Sequence, residues 1–293
     1  MINFFSNIFG YVLNWIYMVV QNYGIAIILF SILIKIVMLP LSISQQKSLK
    51  KNEKIQKEMN ILKIKYNGDK EKINQELMEL SRREKINPFG GCITIIVQLI
   101  LIISMFYLVS SPLTYMKKID KETLENRETE IREQYGADKI SKTYPEISLI
   151  KYAQDKNLKQ NDMYINMDFL GVDLNKIPQE NLTDVRVYII PALYVISSII
   201  SIKFTNNMIK TNKDDEKEET DQDKKKDSDE FSQEEMTAQM NKNMSIMMPI
   251  LSVSIAFVAP LGLALYWLVN NIIMIFERII LNKFFSKEEE ENA

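Results

Sequence analysis

The stretch Ile25–Leu41, IAIILFSILIKIVMLPL, decides the fold, because it is apolar enough to cross a lipid bilayer and carries a single charge, Lys35. The hydrocarbon core of a bilayer is about 30 Å thick, and a lysine at its centre costs roughly 2.5 to 3.5 kcal/mol on insertion scales. Such a residue usually faces a partner or a hydrated cavity, which makes Lys35 a candidate functional residue. The alternative is that Lys35 snorkels to the nearer interface, although the next cation, Lys47, lies twelve residues further on, about 18 Å along a helix.

The rest of the chain also separates apolar from charged residues. Hydrophobic residues make up 46% and charged residues 25% of the sequence, and they lie in separate blocks, as in polytopic membrane proteins. We predict an all-α polytopic membrane protein with a core of five transmembrane helices. The predicted spanning helices are residues 23–46, 88–112, 187–205, 244–260 and 261–282. The net charge of −2 averages over regions on opposite sides of a membrane, and we expect no direct DNA binding.

Residues 1–22 have no charged side chain but several aromatic ones. The segment lacks the basic region and the small-residue cleavage site of a secretory signal peptide. We predict an amphipathic helix that lies along the membrane surface, followed by a turn near Asn22–Gly24. The aromatic residues expected at the interface are Phe5, Phe9, Trp15 and Tyr17. A sixth spanning helix is the alternative, given the length of the segment.

Residues 47–87 have the pattern of a basic helical hairpin. Apolar residues recur at helical spacing on both sides of a turn at Asn67–Asp69, which predicts two antiparallel helices. The remaining surface is rich in lysine and fits anionic headgroups or acidic partner surfaces, with an ordinary solvated face as the alternative. The residues of this candidate partner surface are Lys50, Lys54, Lys57, Lys63, Lys65, Arg82 and Arg83.

The charge distribution also predicts the orientation. Residues 47–87 hold twelve Lys or Arg residues against seven acids, so the positive-inside rule places them in the cytoplasm. The N-terminus and residues 113–186 are then outside, and the tail 283–293 is cytoplasmic. Residues 113–186 form either a small subdomain or a partly ordered loop, and the sequence leaves both open. Residues 206–243 are highly charged with little to bury, which predicts a disordered linker.

The composition argues against enzymatic chemistry. The chain has no histidine and one cysteine, Cys92, which excludes most nucleophile–histidine pairs, histidine-ligated metals and internal disulfides. Cys92 is best explained as a small apolar residue at a helix start. We therefore expect no enzyme activity, no metal site and no cofactor.

Polar side chains within the predicted spans could line one hydrated cavity together with Lys35. Ser31 lies four residues before Lys35, so both share one face of the first span. The apolar window 244–259 reaches only about 24 Å, a mismatch that a thinned bilayer would relieve. Each polar residue alone is more often a helix-to-helix hydrogen bond than a site. The further candidate groove residues are Gln98, Ser197, Ser201, Tyr266, Trp267 and Asn270.

Three motifs in order carry a resemblance to a known family. They are SILIKIVMLPL at Ser31–Leu41, NPFGGC at Asn87–Cys92 and GLALYWLVN at Gly262–Asn270. Together with the basic hairpin between the first two spans, they resemble the YidC/Oxa/Alb family of membrane protein insertases in its bacterial form. The resemblance covers about residues 20–110 and 187–282, and the three motifs together are far more specific than any one of them.

The resemblance implies five core helices around a hydrophilic groove that is open to the cytoplasm and the lipid and closed to the outside. The family's basic groove residue falls on Lys35, and its substrate-contacting positions on Ser31 and Trp267. The family commonly has arginine there, and lysine lacks the planar fork of arginine, so recognition would be by charge. The implied partners are nascent membrane proteins and the lipid bilayer, and the hairpin is implied to recruit substrates or targeting partners. The insertase would act alone or with the Sec translocon, and the ribosome and the signal recognition particle receptor are further expected partners.

We therefore expect an insertase and chaperone, multi-pass in the bacterial cytoplasmic membrane, that needs no nucleotide or cofactor. A small-solute transporter that uses Lys35 as a midplane anion site is the alternative. Transporters usually show repeated halves with interrupted helices, and the sequence shows no such repeat. A purely structural subunit would leave the cost of Lys35 unexplained.

Overall fold

The computed structural model describes residues 1–66, 69–83, 90–136, 140–211 and 254–291, and this part of the chain is mostly helical. Two short strands, β1 (Asp168–Phe169) and β2 (Val172–Asp173), pair in antiparallel fashion, and two 3-10 helices cover Pro178–Glu180 and Val185–Tyr188. The α-helices are α1 (Ile2–Val20), α2 (Tyr23–Lys65), α3 (Lys70–Arg83), α4 (Gly90–Ser110), α5 (Pro112–Tyr115), α6 (Lys121–Tyr135), α7 (Pro145–Asp155), α8 (Ile189–Thr211) and α9 (Leu261–Glu291).

Three helical segments within the described residues are long and apolar enough to cross a membrane. They are Tyr23–Ser44, Val185–Lys203 and Leu261–Leu281, and they match three of the predicted spans. Helix α4 covers the predicted second span, and its apolar stretch Leu99–Ser110 is shorter. The predicted fourth span, residues 244–260, lies largely outside the described residues. Within its described part, residues 254–258 are helical. The five-helix core therefore stays a prediction.

Three helices run past the boundaries that the sequence predicts. Helix α2 is continuous for 43 residues, so the first span and the first arm of the hairpin are one helix, with Pro40 inside it. Helix α3 packs back against α2, and the hydroxyl of Tyr66 donates a hydrogen bond to Glu76 at 2.9 Å. Helix α8 continues to Thr211 and α9 to Glu291, through part of the predicted linker and most of the predicted tail. The rest of the predicted linker lies outside the described residues.

Residues 112–188 hold short helices and strands that pack together in their described part, and we call them the insertion subdomain. Helices α6 and α7 pack together, and β1 and β2 form a hairpin that turns at Leu170 and Gly171, both at positive φ. The buried apolar side chains that hold the unit together come from short segments: Leu124, Ile131, Ile147, Leu149, Ile150, Met163, Ile165, Met167, Val172, Leu174 and Ile177.

A buried carboxylate joins α7 to the start of α5. Glu146 is 8% exposed and accepts hydrogen bonds from the backbone N–H groups of Leu113 at 2.8 Å and Thr114 at 3.0 Å, and from the Thr114 hydroxyl at 2.6 Å. These donors are among the first N–H groups of a helix, which have no partner within the helix itself. Burial raises the pKa of Glu146 above its ordinary value, although the three hydrogen bonds oppose the shift.

The insertion subdomain covers the N-terminal ends of α2 and α9. The backbone N–H of Tyr23 donates to the carbonyl of Asn166 at 2.9 Å. Those of Leu261 and Gly262 donate to the carbonyls of Lys176 at 2.9 Å and Leu174 at 3.1 Å. The subdomain thus satisfies helix-terminal donors that would otherwise need water. We call this the insertion end of the helices and the opposite one the hairpin end.

Helix α1 packs one face against α2, α4 and α5, which corrects part of the aromatic prediction. Phe9 and Tyr17 are buried in the core rather than at a surface, and Phe5 is half-buried, whereas Trp15 is 68% exposed. The reason is helical spacing, because Phe9, Leu13, Ile16 and Tyr17 fall on the packed face. A Cβ atom at Gly10 would clash with the Tyr115 backbone, so glycine permits the close approach of α1 to α5. The turn that follows α1 begins at Gln21, in the left-handed conformation with φ 53°.

Candidate functional site

Lys35 lies in an ion pair with Glu277, between α2 and α9. The distance from Nζ of Lys35 to Oε2 of Glu277 is 2.7 Å. The contact is therefore a charge-assisted hydrogen bond as well as a salt bridge. The side chain of Lys35 is 22% exposed and that of Glu277 is 11% exposed. Both lie within the candidate spans Tyr23–Ser44 and Leu261–Leu281.

Within the candidate spans Tyr23–Ser44 and Leu261–Leu281, the ion pair lies nearer the hairpin end than the insertion end, because Lys35 is nine residues from Ser44 and Glu277 is four from Leu281. Lys35 follows Tyr23 by twelve residues and Glu277 follows Leu261 by sixteen, which correspond to about 18 Å and 24 Å of helix. Charged residues at such depth pair with each other or face water. Here Glu277 is the partner of Lys35, which the sequence of the first span alone does not show. Among the described residues, the second carboxylate oxygen of Glu277, Oε1, is buried and has no hydrogen-bond partner.

Sequence reasoning missed Glu277. The last apolar run ends at Phe276, and hydropathy alone places Glu277 among the charges that follow it. The signal was present, because a lysine inside one span requires a partner and Glu277 falls inside the predicted helix 261–282. The partner lies 242 residues away in sequence, and periodicity does not reveal such a pairing.

Ser31, one helical turn from Lys35 toward the insertion end, is 2% exposed. Its hydroxyl donates to the carbonyl of Ile27 at 2.7 Å, within the same helix. The donor of Ser31 is therefore occupied locally, and its oxygen keeps acceptor capacity.

The polar candidates on α8 and α9 meet across the interface of these two helices. The amide of Asn271 donates to the hydroxyl of Ser197 at 2.9 Å and to that of Ser198 at 3.2 Å. Ser197 thus serves as a helix-to-helix hydrogen-bond partner, and Asn271, which was absent from the predicted site, is the residue that binds it. Ser201 is buried on the same helix.

The aromatic candidates lie toward the insertion end of α9. Trp267 is half-buried and its ring lies 6.4 Å from that of Tyr194 on α8. Tyr266 is 8% exposed, and Asn270 is half-buried. Ten residues separate Trp267 from Glu277, about 15 Å of helix, so the predicted residues extend along α9, on its interfaces with α2 and with α8, rather than forming one cluster.

The remaining candidates are only partly described. The side chain of Gln98 lies outside the described residues, as do those of Lys50, Lys54, Lys57, Lys63, Arg82 and Arg83. Lys65 is exposed and its ammonium group lies 5.1 Å from the centre of the Tyr66 ring. The partner surface of the hairpin therefore stays a prediction.

Comparison with known proteins gives one family. The model of the family described as 60Kd inner membrane protein matches residues 15–289. A membrane protein insertase YidC of Caldanaerobacter subterraneus subsp. tengcongensis is 27% identical over 271 residues, which cover 92% of this chain and 90% of the relative.

Two shorter matches are more similar in sequence. The YidC insertase of Fusobacterium nucleatum subsp. nucleatum is 43% identical over 104 residues, or 36% of this chain and 51% of the relative. That of Syntrophobacter fumaroxidans is 48% identical over 89 residues, or 30% of this chain and 16% of the relative. The matched region thus spans about half or less of the length of these two relatives.

Proposed function

Because the chain belongs to the 60Kd inner membrane protein family, also called the YidC/Oxa family, we propose that it is a membrane protein insertase and chaperone of the bacterial cytoplasmic membrane. In this proposal, nascent membrane proteins enter a hydrophilic groove between the spanning helices. The groove contains Lys35, is open toward the hairpin end and releases its clients sideways into the lipid.

The Lys35–Glu277 ion pair is the observation that carries this proposal. Placing two charged side chains inside candidate spans costs free energy in hydrocarbon. Such residues occur where protein groups or water replace their hydration. Lys35 retains 22% exposure, so it is reachable from outside the protein. The insertion subdomain covers the opposite ends of α2 and α9, which fits a groove that is closed on that side.

The proposed mechanism shortens the apolar crossing. A client segment with a short acidic flank enters from the hairpin end, where Lys35 and nearby hydroxyl and amide groups replace part of its hydration. The apolar window 244–259 of the fourth span reaches only about 24 Å and thins the bilayer beside it, so the remaining barrier is lower. The apolar part of the client then partitions into lipid, driven by the hydrophobic effect.

The topology and partners belong to the same proposal. The N-terminus and the insertion subdomain lie outside, and the hairpin and the C-terminal tail lie in the cytoplasm. The basic hairpin surface recruits nascent chains through the ribosome, the Sec translocon or the signal recognition particle receptor. Lys65, exposed at the tip of α2, is part of that surface.

The test is insertion of a single-span client into liposomes that contain the purified protein. A client with two aspartates in its flank should insert, and Lys35→Ala should lower its insertion by about tenfold, which corresponds to the loss of roughly 1.4 kcal/mol of interaction. The matched control is Lys121→Ala, because Lys121 forms an exposed ion pair in the insertion subdomain. Unchanged insertion by Lys35→Ala would remove Lys35 from the mechanism.

A companion variant separates function from stability. Lys35→Ala leaves Glu277 without its cation, whereas the double variant Lys35→Gln with Glu277→Gln removes both charges and leaves no unpaired one. The double variant should fold and show the same loss with the acidic client. Uptake of a small anion by the protein without any client polypeptide would instead favour the transporter alternative.

A further inference from the structure

We propose that Glu277 is the counter-ion that an acidic client must displace from Lys35, so that Glu277 sets which clients the groove accepts. This inference rests on the insertase function proposed above and assigns a specificity-determining role to a second residue. It follows from the geometry, the exposure and the depth of the Lys35–Glu277 pair.

The charge of Lys35 is neutralised before any client arrives. At 2.7 Å, the ammonium of Lys35 and the carboxylate of Glu277 carry no net charge as a pair, and the neighbouring guanidinium of Arg278 also interacts electrostatically with Glu277. A client carboxylate therefore gains the full attraction of Lys35 only if Glu277 moves away. The apparent affinity for acidic clients equals the intrinsic affinity of Lys35 multiplied by the fraction of molecules in which Lys35 is unpaired.

The exposure of the two side chains gives the order of events. Lys35 is 22% exposed and Glu277 is 11% exposed, so an incoming group reaches the lysine before the carboxylate. An ammonium group has three donors, and one of them points at Oε2 of Glu277. The remaining two allow a client carboxylate to bind beside Glu277 before Glu277 leaves.

The environment of Glu277 makes it the partner that can be displaced. Among the described residues, its Oε1 atom is buried with no hydrogen-bond partner, so the carboxylate is held through one oxygen. Glu277 is four residues from the end of the candidate span Leu261–Leu281, about 6 Å of helix, whereas Lys35 is nine residues from Ser44. A displaced Glu277 carboxylate thus has a shorter way along its own helix to the hairpin end of the span than the ammonium group of Lys35 has.

The test uses two single-span clients that differ only in two flank residues, both aspartate or both asparagine, with a photo-crosslinking residue in the same flank. Glu277→Gln removes the competing charge and keeps the size of the side chain. We expect the crosslinking yield of the aspartate client to rise about three- to tenfold at subsaturating client, and that of the asparagine client to stay unchanged. An equal change with both clients, or no change with either, would overturn the inference.

Two control variants address charge and general surface effects. The Glu277→Asp variant keeps the competing carboxylate, so its crosslinking yield with the aspartate client should equal that of the wild type. Glu125→Gln removes an exposed ion pair with Lys121 in the insertion subdomain and should leave both yields unchanged. A rise with either control equal to that of Glu277→Gln would contradict the assigned role.

A charge exchange keeps the inference testable if Glu277→Gln does not fold. The double variant Lys35→Glu with Glu277→Lys restores the ion pair in reverse, so it should fold and should favour a client with a lysine flank over one with an aspartate flank. Continued preference for the aspartate client would overturn the inference. If the wild-type protein inserts neither client more efficiently than protein-free liposomes do, the proposed function itself is wrong. If it inserts both clients and Glu277→Gln has no effect, only the inference about Glu277 is wrong.

Discussion

At the scale of single residues, lysine rather than arginine at position 35 changes what the pair with Glu277 can do. An arginine fork could bind the same carboxylate through two parallel hydrogen bonds and hold it more firmly, whereas the ammonium of Lys35 makes one contact of 2.7 Å with Oε2. A single contact suits the opening of the pair that we propose. In the proposed groove, Lys35 would recognise a client by charge, since an ammonium group has no preferred plane.

The buried carboxylate of Glu146 gives a prediction for stability. Glu146→Ala leaves the N–H groups of Leu113 and Thr114 without their acceptor, which costs roughly 1 to 3 kcal/mol for a buried group. The thermal unfolding midpoint in detergent should fall accordingly. Glu146→Gln keeps one oxygen acceptor and should lose less. Equal midpoints for the wild type and Glu146→Ala would contradict this account of the contact.

The pH dependence of the same residue has a definite sign. Burial raises the pKa of Glu146 in the folded state above 4.5, its ordinary value, so the folded state binds this proton more tightly than the unfolded state. The penalty for burying the charge is present above the folded-state pKa and disappears below the ordinary one. As the pH falls through that window, the wild type should gain stability relative to Glu146→Gln. A loss of relative stability would show that the hydrogen bonds outweigh burial.

At the scale of helices, the amide of Asn271 on α9 and the hydroxyl groups of Ser197 and Ser198 on α8 form part of the contact between these two helices. Asn271→Leu removes the hydrogen bonds to Ser197 and Ser198, and helix-to-helix hydrogen bonds in membranes contribute about 0.6 kcal/mol on average. We therefore expect a small fall in the unfolding midpoint. Ile272→Leu is the control, because Ile272 is 39% exposed on the next position of the same helix. A fall of equal size in both variants would mean that the hydrogen bonds contribute nothing specific.

The helices were predictable where one physical signal dominates. Apolar runs of spanning length marked α2, α8 and α9, and the turn residues near Asn67 marked the return into α3. Their ends were less predictable, because hydropathy marks where a membrane could end and not where a helix ends. The spans of α2 and α9 accordingly continue into charged residues, to Lys65 and Glu291.

The insertion subdomain was not predictable from periodicity. Its core is built from single residues in short segments, such as Ile165, Met167 and Leu174, which have neither a helical nor a strand repeat. The attachment to α2 and α9 is made by backbone carbonyls, and these leave no mark in the sequence. The Lys35–Glu277 pair was half predictable, because the need for a partner was evident and its identity was not.

At the scale of the whole molecule, an ion pair lies inside the candidate spans and a folded subdomain lies over one end of them. The Lys35–Glu277 pair lies toward the hairpin end, and the insertion subdomain satisfies the backbone donors of α2 and α9 at the other. An insertase needs this asymmetry, because clients must enter from one side without opening a path across the membrane. The continuous helix α2 connects the ion pair directly to the predicted basic hairpin, so in the proposed function a client recruited by the hairpin would already be at the entrance of the groove.

The most direct test of an insertase groove along α9 is crosslinking during translation. A photoreactive phenylalanine analogue replaces Trp267, and a single-span client with an acidic flank is translated in the presence of proteoliposomes that contain the protein. We expect a covalent adduct with the client while its span is being made, and loss of the adduct once the client is released into lipid. Full insertion of the client without any adduct at position 267, while analogues at exposed positions such as Ile272 do give adducts, would contradict a passage along the side of α9 that carries Trp267.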